Sequence, residues 1–355
     1  MRLLITGICG FVGSSLANCF RKRDPSCEII GIENFVRTGS ETNRSVLRSR
    51  GIRVQHGDVR NASDFEILPA VDWVIDAAAN PSVLAGVDNR SSSRQVIEHN
   101  LYGTVNLLEY CKRVEAGLIL LSTSRVYSIP ALAALPLTKG SEAFEWDENA
   151  KPFVGASING LTTEFSTAPP ISLYGSTKLA SEALALEYHH SFSFPVWINR
   201  CGVIAGAGQF GTAEQGIFSY WIHAYAQKRP LKYIGFDGSG RQVRDALHPD
   251  DLAELIAQQI DSSQHSGVTI FNVGGGSENA MSLAQLTRWC AKHFGKHSIA
   301  SDPTPRAFDV PWLVMDNCET TTLFNWRPKR DLPSVLDEIA SHAEQNPGWL
   351  DLSTP

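Results

Sequence analysis

Near its start the chain runs an apolar stretch, Leu3-Leu4-Ile5-Thr6, straight into Gly7-Ile8-Cys9-Gly10-Phe11-Val12-Gly13 and then into a helical pattern over Phe11–Lys22. A short buried strand that turns over glycines into a helix opens a βαβ unit. It commits the following chain to a parallel sheet with helices on its faces. Further apolar runs at Ile29–Glu33, Val71–Ala77, Leu118–Ser122 and Val196–Arg200 supply strands, with helical patterns at Arg94–Val114 and Leu173–His190. The alternation predicts an α/β fold with a doubly wound parallel sheet. The segment 128–172 breaks the rhythm and is rich in Pro, Ala and Thr. A loop this long is expected to be functional or partly structured. After Arg200, glycine clusters at Gly202–Gly216 and Gly235–Gly240 alternate with short helices, which reads as a smaller lobe. No internal repeat appears, and the only low-complexity tail is Ser353-Thr354-Pro355.

The glycine turn has a mechanical reading. Gly7 permits the sharp bend, and Gly10 lets the backbone approach a pyrophosphate at the start of the helix, where Phe11 and Val12 begin it. Gly13 lets that helix lie close on the sheet. The spacing G-x-x-G-x-x-G is one residue wider than the common dinucleotide fingerprint, but its strand-to-helix context is the expected one. Glu33 ends the second strand where the fingerprint places its acidic residue, with Asn34 beside it. A carboxylate there accepts hydrogen bonds from the adenosine ribose and repels a 2′-phosphate, which favours NAD. Arg37 nearby keeps NADP open as the alternative. Asp58-Val59 follows the next strand, within reach of an adenine amino group, and Ala77-Ala78-Ala79 lets backbone pack against the cofactor. Residues 1–200 are therefore expected to be mainly an NAD-binding, Rossmann-type domain. Residues 201–355 are expected to be mainly the substrate lobe, with elements free to interleave.

Two further signals carry chemistry. Ser122-Thr123-Ser124-Arg125-Val126-Tyr127 ends the fifth strand, and Tyr174-Gly175-Ser176-Thr177-Lys178 begins a helix. Tyr and Lys at i and i+4 share one face. An ammonium beside a phenol stabilises phenolate, so Tyr174 can act as a base, and Thr123 can hydrogen-bond the same substrate oxygen.

The net charge of −6 gives no reason to expect nucleic acid as a partner. No apolar run approaches the length of a membrane helix, and no signal segment opens the chain, so the cytoplasm is the expected location. Seven scattered cysteines without a C-x-x-C pair fit reduced thiols rather than disulfides or a metal site. Cys9 reads as a small filler in the glycine turn.

These residues resemble the extended short-chain dehydrogenase family of nucleotide-sugar epimerases and dehydratases. The carrying motifs are T-G-x-x-G-F-V-G at Thr6–Gly13, G-D-V-R at Gly57–Arg60 and A-A-A-N at Ala77–Asn80. Others are N-L-Y-G-T-V-N-L-L-E at Asn100–Glu109, Y-G-S-T-K at Tyr174–Lys178 and R-D-A-L-H-P-D-D at Arg244–Asp251. The resemblance implies tightly bound NAD, a cofactor contact at Asn100, catalysis by Thr123, Tyr174 and Lys178, and diphosphate binding by Arg244 and Arg306. It implies dimer-based assembly, a homodimer or homotetramer, through Arg94–Val114 and Leu173–His190. Dehydratases of the family carry Asp-Glu after the catalytic Thr. Here Ser124 and Arg125 stand there, and neither does that acid work near neutral pH. Three features resemble the CDP-tyvelose (CDP-paratose) 2-epimerase branch: Glu33–Gly39, the long insert, and Gln209–Gly216, in which Gln209 and Gln215 are expected substrate contacts. That branch implies epimerisation at carbon 2 of a CDP-deoxyhexose by transient oxidation and hydride return. Carbon 4 of a UDP-sugar is the alternative, and an NADP-dependent reductase a further one. Ser128, Gly208, Val203 and Asn80 depart from common family residues and bear on which sugar and base are used.

Overall fold

The computed structural model describes residues 1–87, 92–262 and 269–353, so Thr354 and Pro355 of the short tail lie outside the described residues. Strands β1 (Arg2–Thr6), β2 (Glu28–Glu33), β3 (Arg53–His56), β4 (Trp73–Asp76), β5 (Gly117–Thr123), β6 (Val196–Cys201) and β7 (Ile270–Val273) form one seven-stranded sheet. Its order is β3-β2-β1-β4-β5-β6-β7. The pairs β1–β2, β2–β3, β1–β4 and β4–β5 are parallel. The order reverses between β1 and β4, which makes their carboxyl ends the switch point where such sheets take ligands. Leu3, Leu4 and Ile5 are fully buried, as befits a central strand covered on both faces. Val74, Leu118, Leu120 and Ile198 share a core with Leu107, Leu108 and Ala185. Burying each such aliphatic side chain stabilises the fold by roughly 1.5–3 kcal/mol.

Helix α1 spans Phe11–Arg23 and begins where the sequence pattern places it. The pattern over Arg94–Val114 is helical throughout but not uniformly α. A short helix, Ser93–Ile97, passes into a π-helical turn, Glu98–Tyr102, and only then into α2, Gly103–Val114. Helix α3 runs from Ser172 to Phe192.

The chain divides into two compact units. The first comprises Met1–Val126, Leu173–Arg200 and Leu252–Phe271, and the second Tyr127–Ser172, Cys201–Asp251 and Asn272–Pro355. Each unit thus draws on separated stretches of chain. In the second, Val243–Leu247 pairs in parallel with Val203–Ile204 and Trp312–Leu313, and antiparallel with Ala280–Ser282. Helix α4 (Ile217–Ala226) and helix Leu332–Gln345 supply its own core through Phe218, Trp221, Ile222, Leu336 and Ile339. The segment 128–172 is partly structured. It contains a short helix, Ile129–Ala133, and an antiparallel hairpin, Leu137–Lys139 with Phe144–Trp146. The Tyr127 hydroxyl anchors its start by donating to Asn272 Oδ1 at 2.6 Å, while the Asn272 amide donates to the Leu161 carbonyl at 2.6 Å. Among the described residues no helix is long and apolar enough to cross a membrane. None of the seven cysteines is joined in a disulfide.

Candidate active site

The turn after β1 is built from close backbone approaches. Gly7 has φ +59°, and a Cβ there would stand 3.0 Å from the Ala78 Cα. A Cβ on Gly13 would stand 2.3 Å from the Gly7 carbonyl oxygen, so the helix lies on the turn at a distance only glycine allows. Gly10 caps α1 without any side-chain hydrogen bond, and the first turn holds no acidic residue while Arg21, Lys22 and Arg23 crowd the last. The last turn therefore complements the helix dipole, and the first leaves bare N–H groups of Phe11 and Val12 at its positive end. That cradle fits a pyrophosphate.

Glu33 is buried, and its carboxylate accepts from the Cys9 N–H at 3.0 Å and the Phe35 N–H at 2.9 Å. Each oxygen keeps lone-pair capacity for a ribose hydroxyl. Burial and the charge of Glu33 push the Cys9 thiol up to about 12, so it stays protonated. Asn34 donates to Asp58 at 3.1 Å, and Arg60 forks onto both Asp58 oxygens at 2.9 and 2.7 Å. Burial works against charge on Asp58, but these hydrogen bonds hold its carboxyl well below the usual range. Asp58 thus already ties the ends of β2 and β3 together. Val59, packed under Gly103, sits where a Cβ on that glycine would meet it at 2.8 Å.

Thr6 clamps the switch point. Its hydroxyl donates to Asp76 at 2.8 Å and accepts from the Ala77 and Ala78 N–H groups at 3.1 and 3.0 Å. Ala79 follows and is exposed. Asn100 lies in the π-helical turn, whose extra residue brings its side chain inward. It accepts from the Asn80 N–H at 2.8 Å and donates to the Asn80 carbonyl at 3.1 Å and to Thr177 at 3.2 Å. Thr177 in turn donates to the Tyr174 carbonyl at 2.8 Å. The structure thus places Asn100 as a link from the fourth strand's exit to the helix of the candidate base.

Tyr174 and Lys178 lie one turn apart on α3, both buried, with Lys178 only 1% exposed. Thr123 ends β5, and its hydroxyl accepts from the Arg125 N–H at 3.2 Å. That contact leaves the hydroxyl proton available to donate. Ser124, at the first dehydratase position, is buried in a short 3-10 turn.

Of the expected substrate residues, Thr123 belongs to the first unit, whereas Gln209, Gln215, Arg244 and Arg306 fall in the second. Arg244 donates to Asp309 at 3.1 Å and to the Val243 and Val310 carbonyls at 2.7 and 2.9 Å. Burial and the nearby Arg306 charge lower its pKa, and Asp309 opposes them. Two guanidinium groups that feel one another suit a diphosphate. Arg306 donates to the Ala213 carbonyl at 3.1 Å, which joins it to the loop carrying Gln209 and Gln215. Gln209 donates to the Ile204 carbonyl at 2.8 Å, and its buried Oε1 has no protein partner. The Gln215 N–H donates to the Thr212 carbonyl at 3.2 Å. The site reading missed Thr6, Thr177 and Asp309 as supporting groups. Thr6 and Thr177 lie inside the T-G-x-x-G-F-V-G and Y-G-S-T-K motifs, but only the fold gives each of them its partners.

The NAD dependent epimerase/dehydratase family matches residues 3–274. CDP-paratose 2-epimerase of Salmonella typhi is 27% identical over 341 residues, covering 93% of this chain and 95% of that protein. UDP-glucuronate 4-epimerase of Thermodesulfobacterium geofontis is 24% identical over 354 residues, covering 97% and 96%. Among solved structures, UDP-glucuronic acid 4-epimerase from Bacillus cereus, in complex with UDP-glucuronic acid and NAD, matches with a TM-score of 0.75. It is 24% identical and covers 97% of this chain and 99% of that one. This last likeness is one of fold. The chain belongs to the NAD dependent epimerase/dehydratase family, an enzyme family whose cofactor is NAD.

Proposed function

We propose that the protein is a nucleotide-sugar epimerase that inverts carbon 2 of a CDP-linked deoxyhexose of the CDP-paratose and CDP-tyvelose type. The observation that carries the reading is its end-to-end similarity to CDP-paratose 2-epimerase, at 27% identity. The Gln209–Gly216 loop of the second unit supports it. When bound, NAD supplies the reversible hydride acceptor, so the reaction has no net redox change. The chain's own residues do the rest. Gly7, Gly10 and Gly13 with the start of α1 hold the pyrophosphate, and Glu33 takes the ribose. Tyr174 as phenolate accepts the proton of the sugar hydroxyl. Lys178, buried one turn on, stabilises that phenolate, and Thr123 donates a hydrogen bond to the same oxygen. Arg244 and Arg306 anchor the diphosphate while the sugar presents its other face. Ser124 and Arg125 leave the protein without the acid pair an elimination of water requires.

A UDP-sugar 4-epimerase is the second reading, favoured by the UDP-glucuronate 4-epimerase relative at 24% identity. Proton NMR of the purified enzyme with CDP-paratose, CDP-tyvelose, UDP-glucose and UDP-glucuronate separates the two. Interconversion of the CDP-sugars supports carbon 2. Turnover of UDP-sugars alone overturns it. In heavy water the inverted carbon should carry no deuterium, and deuterium there would sink the redox route.

A further inference from the structure

The catalytic helix carries a second buried charge that the proposed reaction does not use. Glu182 lies four residues beyond Lys178 on α3 and is 2% exposed. Arg200, at the end of β6, forks onto it with Nε 3.2 and 3.1 Å from the two oxygens and Nη2 at 2.7 Å. The Ser122 hydroxyl, next to Thr123 on β5, donates to the same carboxylate. One carboxylate therefore joins the strand that bears Thr123, the helix that bears Tyr174 and Lys178, and a third strand. All of these groups belong to the first unit.

We propose that the Glu182–Arg200 pair, held by Ser122, is a positioning and charge-partitioning device for the Tyr174–Lys178 base. This rests on the reading of Tyr174 as that base. The helix rise puts Glu182 roughly 6 Å along the axis from Lys178 and roughly 12 Å from Tyr174. An unpaired carboxylate one turn away would compete for the Lys178 ammonium and disfavour phenolate. Arg200 takes up that carboxylate with two parallel N–H donors, so the Lys178 charge remains directed at Tyr174. The shared carboxylate also fixes β5 to α3 within one residue of Thr123. Neighbouring elements carry other ionisable groups: Asp76 ending β4, Glu98 and His99 in the π-helical turn, Glu109 on α2, Arg125 after β5 and Cys201 after Arg200. The variants below leave all of them unchanged.

The test is a tyrosinate absorbance titration of the NAD-loaded enzyme. The Tyr174 component is identified by its loss in Tyr174→Phe. In Glu182→Gln the Arg200 cation is left unbalanced, and the Tyr174 midpoint should fall by about half a unit to one unit. In Arg200→Met the carboxylate is unbalanced, and the midpoint should rise by a similar amount. The double variant should return to within about 0.3 unit of the native value, because the net charge is restored. A merely structural pair would lower stability in all three variants without shifts of opposite sign. Shifts of the same sign, or none, overturn the proposal. Should Arg200→Met fail to fold, Glu182→Gln and the double variant still carry the test, since neither leaves a lone buried carboxylate. If Tyr174→Phe leaves the titration unchanged, the base assignment itself has failed, and the role of the pair falls with it.

Discussion

Alanine at Gly10 and alanine at Gly13 should separate two roles of one turn. At Gly13 the added Cβ would lie 2.3 Å from the Gly7 oxygen and 2.9 Å from the Ile8 Cα, both backbone atoms that no rotamer change relieves. Ordinary contact requires α1 to move by about 1 Å, an overpacking that costs about 1–3 kcal/mol, and alanine's helix propensity offsets up to about 1 kcal/mol of it. With about 2 cal/mol/K of unfolding entropy per residue, the melting temperature should drop by up to about 4 °C. At Gly10 the backbone is ordinary, and the Cβ would meet only the Gly7 oxygen, at 3.1 Å. Alanine is the poorer N-cap, so the cost is about 1 kcal/mol, or about 1–2 °C. Its methyl nevertheless stands where a pyrophosphate must approach the bare amides. Losing one charge-assisted hydrogen bond, about 1.5–3 kcal/mol, weakens NAD binding by about 10- to 100-fold. Thermal melts followed by calorimetric titration with NAD measure both. Gly10→Ala should lose affinity out of proportion to its stability, whereas Gly13→Ala should lose both together. A Gly10→Ala protein that melts like the native one and binds NAD within twofold would refute the pyrophosphate assignment.

Tyr174→Phe should abolish turnover while NAD binding, followed by calorimetry, stays close to native. More than a few per cent residual activity would remove Tyr174 as the base. Glu33→Ala should narrow the preference for NAD over NADP and also destabilise the turn, because the Cys9 and Phe35 N–H groups lose their acceptor, at about 1–3 kcal/mol. Unchanged cofactor selectivity in binding assays would show that the ribose lies elsewhere. Burial raises the Asp245 carboxyl to about 6 against the Gly276 and Met315 N–H bonds, so the folded chain holds a proton that the unfolded chain releases near 3.8. Folding takes up that proton, and the group's contribution to stability is lost as pH rises from about 4 to 6. Denaturant melts should show the native chain losing about 2–3 kcal/mol relative to Asp245→Asn across that window, and a flat difference would contradict the buried-acid account. Ile97, Leu101 and Val105, with Leu179 and Leu186 on α3, remain half-buried, and Tyr102 and Ala183 are exposed. Light scattering at micromolar concentration should therefore report a dimer that Ala183→Glu dissociates, and a native monomer would count against this face.

The opening strand, glycine turn and helix were legible in the sequence because local rules act on them. A glycine-only close approach, a bare N-cap and a 2.0 or 3.6 periodicity all leave marks within a few residues. The Tyr174–Lys178 pair was legible for the same reason, being one helical turn apart. What the fold alone decided is which distant residues meet. Nothing local distinguishes Glu182 or Arg200 as a buried pair, since 18 residues and a turn separate them. Asn100 opens the N-L-Y-G-T-V-N-L-L-E motif, but its inward aim depends on a π-helical turn that the apolar period of Arg94–Val114 conceals. The family resemblance marks Arg244 as a diphosphate contact or else one half of an ion pair, and only the return of the chain at Asp309 supplies the partner, 65 positions away. The insert likewise reads as a loop, because its hairpin is fastened by Phe144 N–H to the Arg241 carbonyl and by Ser282 to the Glu142 carbonyl. Contacts over such separations are set by strand order and by which buried polar groups find partners there. A sequence scan in short windows carries the first kind of information and not the second.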